Sequence, residues 1–262
     1  MKIRLLSDVH HEFYRGKDWK RQPWSTSAGE DVLVLAGDIA SGSSNVLDTI
    51  KYFLDTGVPH IIYVPGNHEY YGTSISDFDN KIRDKLKDNV QVSLLNPGCI
   101  KKDGVLFVGA PLFTKFSGDP LAEHIAQRLI TDFRLIKEAK TSDYTAKYLE
   151  QSKYIFDCVK GHGESVHTIV VVTHWLPSHQ LISSEYRLDR SGLNSYFANK
   201  LDSEMQLVSD RLPNTRLVWM YGHTHKCGNS RINGHWDCIA NPAGYPNEYN
   251  DHTFNPKLIV HV

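Results

Sequence analysis

Side chains able to hold metal ions gather in five short patches of this 262-residue chain, and each patch directly follows an apolar run. Asp8 and His10 follow residues 3–6, Asp38 follows 32–36, Asn67 follows 61–64, His174 follows 168–172, and His223 with His225 follows 217–221. Imidazole nitrogens with carboxylate and amide oxygens, and no thiolate, suit divalent cations: Mn as the first expectation, then Fe, Zn, Ni or Co. The two oxygens of Asp38 can bridge two cations, while the Asn67 amide adds a ligand without adding charge. Two divalent cations, Asp8, Asp38 and a bridging hydroxide sum to about +1, a balance that favours an anionic phosphoester. Such a cation pair lowers the pKa of a shared water, making hydroxide the nucleophile, and neutralises the phosphoryl oxygens. The departing alkoxide still needs a proton, and His68, adjacent to Asn67, is the expected general acid.

Val, Ile and Leu at consecutive positions suit strands buried on both faces of an α/β sheet, where ligands bind beyond the carboxyl ends. In extended backbone, residues i and i+2 point to one side. Asp8 and His10 are therefore expected to project together, as are His223 and His225, with His11 turned the opposite way. Further strands are expected at 90–95, 105–108, 230–232, 236–239 and 258–262. The turn signal Lys102-Asp103-Gly104 suggests a hairpin joining the first two of these, and Gly234 a second hairpin. Apolar spacing of three and four predicts helices over 45–54, over 75–86 and within 193–212, where Pro213 stops the last. Residues 115–166 read as a helical insert over one edge, with Ile125, Leu129, Ile136, Tyr148, Tyr154, Ile155 and Val159 as candidate buried positions. This order fits an α/β fold of two sheets face to face with helices outside, forming one domain over 1–262.

A formal net charge of -1 gives no global field to hold duplex DNA, so a nucleic-acid partner is not favoured. The first apolar run breaks too early for a signal-peptide core and no stretch is long enough to span a bilayer, so a cytoplasmic protein without a membrane partner is expected. Cys99, Cys158, Cys227 and Cys238 show no Cys-x-x-Cys spacing, which signals neither a zinc knuckle nor a redox motif; reduced, partly buried thiols are expected.

Asp8-x-His10, Gly37-Asp38, Gly66-Asn67-His68-Glu69, the lone His174 and Gly222-His223-Thr224-His225 together resemble the calcineurin-like metallophosphoesterase superfamily, in that family's order and over most of the chain. The resemblance implies a four-layer α-β-β-α sandwich, with two central mixed sheets flanked by helices. It also implies one cation on Asp8, His10, Asp38 and His225, and a second on Asp38, Asn67, His174 and His223. More narrowly, residues 6–10, 172–177 and 241–245 are similar to compact bacterial and phage members of unassigned substrate. Ala243 stands where many such relatives carry Arg, so the anion contact of that Arg does not carry over. After Asp38 the chain runs Ile39-Ala40-Ser41-Gly42, lacking the Asp-Arg-Gly extension of protein serine/threonine phosphatases, which argues against phosphoprotein substrates.

A phosphodiesterase acting on a small nucleotide-like molecule is the leading expectation. The alternatives are a phosphomonoesterase, a nuclease similar to the double-strand-break repair members, and a non-catalytic protein-binding scaffold like the retromer subunit of this fold. The chain is too short for the nuclease's DNA-binding cap, and its complete ligand set argues against the scaffold. Residues 178–197 must start at the mouth of the site, where Tyr186, Arg187, Arg190 and Asn194 are either substrate contacts or surface loop. Asp132-Phe133-Arg134 is either a lid contact, an internal ion pair or helix surface. Trp175 and Tyr245 either stack a base or serve as core and rim aromatics, and Glu69 either supports the ligands or caps a helix.

Overall fold

The computed structural model describes every residue except 15, 17, 117–119, 189–190, 247 and 249–252. The apolar runs form β1 (Lys2–Leu6) and β2 (Val32–Ala36), followed by α1 (Ser43–Asp55), β3 (Ile61–Val64), α2 (Ile75–Leu86) and β4 (Val92–Leu94). Next come β5 (Gly98–Lys102), β6 (Val105–Gly109), α3 (Pro120–Leu129), α4 (Asp132–Leu135), α5 (Thr141–His162) and β7 (Thr168–Val172). The chain continues through α6 (Asn194–Phe197), α7 (Asp202–Arg211), β8 (Arg216–Tyr221), β9 (Gly228–Ile232), β10 (Trp236–Ala240) and β11 (Ile259–His261).

Two mixed sheets result, one of five strands in the order β11-β1-β2-β3-β4 and one of six in the order β5-β6-β7-β8-β10-β9. Every ladder between β1, β2, β3 and β4 is parallel, as are those of β6 with β7, β7 with β8 and β8 with β10; the other edge strands, β11, β5 and β9, pair antiparallel. Alternation along the strands divides the core. Ile3, Leu5, Val32, Val34, Phe107, Val170, Val172 and Val218 pack between the sheets. Leu33 and Leu35 turn outward onto Val46, Phe53 and Phe78 of α1 and α2, while Leu106, Val171 and Trp219 turn outward onto Ile155, Val159 and Met205 of α5 and α7. The layers therefore run helix, sheet, sheet, helix. No helix among the described residues is long and apolar enough to cross a membrane.

Two expectations need correction. Strand β4 pairs in parallel with β3 in the first sheet, so it forms no hairpin with β6. The turn at Asp103-Gly104 instead joins β5 to β6, and β5 was missed because Gly98-Cys99-Ile100-Lys101-Lys102 is a half-exposed edge strand with only one aliphatic residue. Leu129, placed in the core by its helical spacing, is exposed on the wall of a cavity. Within 115–166, α5 packs on the second sheet between the parallel strands β6 and β7, while α3 and α4 pack against each other.

Candidate metal centre

The carboxyl ends of β1, β2, β3, β7 and β8 bring all seven expected ligands to one place, but not through extended backbone. Asp8 (φ 52°), His10 (φ 44°), Asp38 (φ 53°), His223 (φ 77°) and His225 (φ 49°) are all left-handed, a conformation that non-glycine residues adopt at a cost of about 1–3 kcal/mol each. Cross-connections between the loops hold these kinks. The Asp8 N–H donates to Gly37 O at 3.0 Å, His10 N–H to Asp38 O at 3.0 Å and Gly222 N–H to His174 O at 3.0 Å. Two glycines permit the close approach. A Cβ on Gly37 (φ 84°) would lie 2.4 Å from His174 Nδ1, and one on Gly222 would lie 2.6 Å from Asp8 Oδ2. His11 does turn away, stacking on Trp19 with ring centroids 4.9 Å apart and hydrogen-bonding Thr49.

The protons around the imidazoles can be assigned from their partners. His10 Nδ1 faces Glu12 Oε1 at 3.3 Å and His225 Nδ1 faces Glu248, so each carries a proton on Nδ1. The two Nε2 atoms then face each other at 3.1 Å, and Asp8 Oδ1 lies 3.4 Å from His225 Nε2, where it receives the second proton of that ring. His174 likewise donates from Nδ1 to Ala36 O at 2.9 Å, which places its Nε2 3.1 Å from Asn67 Oδ1, 3.2 Å from His223 Nδ1 and 3.4 Å from Asp38 Oδ2. Asp38 Oδ2 is also 3.8 Å from His10 Nε2, so one oxygen lies between the two groups. Donors bound about 2.1 Å from one cation sit about 3.0–3.4 Å apart, and these spacings match a pair of such shells. Without a cation, protons hold these groups together. Burial opposes charge on His174 and His225, but Asp38 beside the first and Asp8 with Glu248 beside the second outweigh it, raising them to about 9 and about 10. Asp38 is held well below the usual carboxylate range: burial pushes it up, and His174 and His68 overcome that.

Three carboxylates behind these groups, Glu69 and Asp132 buried and Glu12 partly so, set their orientation. Glu12 Oε1 receives His10 Nδ1, His68 Nδ1 at 3.1 Å and the Ser41 hydroxyl at 3.2 Å; burial resists its charge, yet the two imidazoles hold its carboxyl down to about 2. Glu69 accepts the N–H groups of Asp38 at 3.0 Å, Ile39 at 2.9 Å and Gly66 at 2.8 Å, clamping the loops after β2 and β3 together, so it supports the site and caps no helix. Asp132 accepts from Asn67 Nδ2 at 2.9 Å, Tyr71 at 2.8 Å, Tyr144 at 2.6 Å and Tyr196 at 2.6 Å, which fixes the Asn67 amide with its oxygen toward His174. It is neither a lid contact nor half of an ion pair. Sequence reasoning missed Glu12 altogether and misjudged Asp132; neither sits at a strand end, and only folding brings them to the site.

His68 lies beside this centre with Nε2 4.0 Å from Asp38 Oδ2 and 3.2 Å from the Tyr245 hydroxyl. Burial works against its protonation, but Asp38 and Glu12 raise its pKa above the ordinary histidine value. The centre opens into a cavity of about 580 Å³, walled by Leu129, Tyr186, Leu193, Tyr196, Phe197 and Tyr245. Of the expected substrate contacts, Tyr186 and Asn194 line it; Arg187 turns back onto the carbonyls of Ile182 and Gln180, and Arg190 lies outside the described residues. Trp175 is fully buried and cannot stack a ligand, whereas Tyr245 is at the rim.

The sequence matches the family described as calcineurin-like phosphoesterase over residues 1–227. An uncharacterised protein of Acanthamoeba polyphaga mimivirus is 28% identical over 283 residues, covering 99% of this chain and 96% of that protein. Among solved structures, a phosphopantetheinyl hydrolase from Mycobacterium tuberculosis superposes with a TM-score of 0.67 at 18% identity, covering 94% of this chain and 90% of the other. A dimetal phosphatase from Danio rerio superposes with a TM-score of 0.56 at 14% identity, covering 92% and 86%. With the two-sheet sandwich they share and the family match, this chain belongs to the calcineurin-like phosphoesterase family and is a metal-dependent phosphoesterase.

Proposed function

We propose that the protein hydrolyses a small phosphodiester of nucleotide size at a two-cation centre. The observation carrying this reading is the set of imidazole nitrogens and amide and carboxylate oxygens that face one another around Asp38 Oδ2. Asp8, His10, Asp38 and His225 would hold one cation, and Asp38, Asn67, His174 and His223 the other. Manganese is the first expectation, and iron, zinc, nickel and cobalt suit the same donors. When bound, the pair supplies an activated water and neutralises charge on the phosphoryl oxygens.

The chain's own groups do the rest. Glu12 holds His68 by Nδ1, so a proton on Nε2 is aimed into the site, where it passes to the departing oxygen. The Tyr245 hydroxyl keeps that nitrogen in position until the leaving group takes its place. A cavity of about 580 Å³ with an aromatic wall suits one base or a comparable ring, within the usual range of about 300–1,000 Å³ for small-molecule sites. Lys226 is the one Lys or Arg among the described lining residues, and its Nζ is 3.3 Å from Glu185. So little basic charge suits a singly charged diester better than a dianionic monoester, and far better than a nucleic-acid backbone.

Turnover of bis-p-nitrophenyl phosphate with Mn, abolished by chelator, is expected, with higher kcat/KM on diesters than on matched monoesters. Faster monoester hydrolysis would overturn the diester preference. His68→Ala should cost about 10²–10⁴-fold on esters with alkyl leaving groups and far less on p-nitrophenyl esters; equal losses on both would remove the acid role.

A further inference from the structure

Cysteines far apart in the sequence meet on the outer side of the second sheet. Cys99 lies on β5, the outer edge strand, while Cys158 and His162 lie four residues apart on α5 and so share one helix face. The two sulfurs and an imidazole nitrogen all lie within 4.8 Å of one another. Tyr154, one turn earlier on the helix, also adjoins Cys99, whose sulfur faces α5. None of the three lines the cavity of the metal centre.

We propose that Cys99, Cys158 and His162 form a second, separate cation site that takes zinc or another thiophilic ion, with water as the fourth ligand. Two residues at i and i+4 on a helix, facing one on a strand, can supply three corners of a tetrahedron. Zn–S bonds of about 2.3 Å and Zn–N bonds of about 2.0–2.1 Å require the donors to be about 3.5–3.8 Å apart. Closing from the present separations takes about 1 Å, within reach of rotamer changes at the exposed Cys99 and His162. Two thiolates balance the charge of a divalent ion, and binding displaces their protons. Burial, then the Cys99 contact, pushes the Cys158 thiol up to about 12, the opposite of what a reactive or redox-sensing cysteine needs. Because the catalytic centre offers only nitrogen and oxygen, the two sites would sort cations by softness. A cation here would tie the edge strand β5 to α5.

The test is titration of the reduced, metal-free protein with cobalt(II). A near-ultraviolet thiolate-to-cobalt charge-transfer band is expected, displaced by zinc, absent in Cys99→Ser and Cys158→Ser, weakened in His162→Ala and intact in Cys227→Ser. Zinc should also shield Cys99 and Cys158 from alkylation, read peptide by peptide, while Cys158→Ser hydrolyses phosphoesters at the wild-type rate. Absence of the band, its survival in both serine variants, or a Cys99–Cys158 disulfide in the freshly purified protein would each overturn the site. The inference does not depend on the hydrolase reading: His174→Ala should lose turnover and keep the band.

Discussion

Replacing Asp132 separates a structural role from a role in holding a cation. Four donors converge on this carboxylate, two of them hydroxyls of the fully buried Tyr144 and nearly buried Tyr196. Asp132→Ala removes both acceptors at once, the Oδ1 that receives Asn67 and Tyr71 and the Oδ2 that receives Tyr144 and Tyr196. Each buried donor left unpaired costs about 1–3 kcal/mol. With two such hydroxyls affected and partly re-paired, a loss of about 2–4 kcal/mol is expected, or about 4–16 °C in Tm at about 2–4 °C per kcal/mol for a domain of this size. The larger effect is local. Asn67 loses the partner that keeps its amide oxygen toward His174, and removing such an outer partner typically lowers metal affinity by about 10–100-fold. Calorimetric titration with Mn should show one cation weakened by that factor and the other, on Asp8, His10 and His225, nearly unchanged. Tyr144→Phe is the control: it removes one donor from a carboxylate that retains three, so it should lower Tm while leaving both affinities alone. If Asp132→Ala binds both cations as the wild type does, or Tyr144→Phe weakens them equally, the orienting argument is wrong.

Glu12→Gln should lower kcat by about 10–100-fold with little change in KM and shift the basic limb of the pH–rate profile to lower pH, because His68 loses the carboxylate that raises its pKa; an unshifted profile would show that Glu12 does not act through His68. Cation affinity should climb with pH. His174 and His225, raised to about 9 and about 10 in the cation-free protein, hold protons at neutral pH that an entering cation displaces, so affinity levels off only above that window, and calorimetry in buffers of different ionisation enthalpy should reveal the released protons. The stability that these two raised groups lend the cation-free protein is complete below about pH 6.5 and fades as pH rises through about 9–10, which unfolding of the chelator-treated protein can follow. Gly37→Ala forces a left-handed alanine into His174 and should cost more than the about 1–3 kcal/mol of backbone strain alone; a Tm within 2 °C of wild type, on the order of 1 kcal/mol, would contradict that steric reading.

The strands bearing the site were legible because each is an unbroken aliphatic run buried on both faces, as at 32–36 and 168–172. Less could be read where the signal is weak or non-local. Strand β5 is an edge with one side in solvent, so its residues show neither a continuous apolar run nor strict alternation. The direction of Asp8 and His10 was anticipated for the wrong reason: extended geometry predicts it, but left-handed kinks held by the neighbouring loop produce it. Glu12 and Asp132 carry no spacing signal, because they bind the site through partners on other loops and helices, whereas Glu69 was marked by its place in the block 66–69. Leu129 shows the limit of periodicity, which marks a helix's apolar face without telling a core from a cavity wall.

Asp8, Asp38 and Asn67 follow strands of the five-stranded sheet, and His174, His223 and His225 follow strands of the six-stranded one. Each proposed cation would therefore draw ligands from both sides of the seam, acting as a rivet through two plates whose facing surfaces are mostly greasy. Chelation should then slacken the join itself, so that amides lining the seam exchange with solvent sooner while those under the outer helices keep their pace. Were the polypeptide cut in the loop between β4 and β5, metal uptake would report the moment the two pieces find each other.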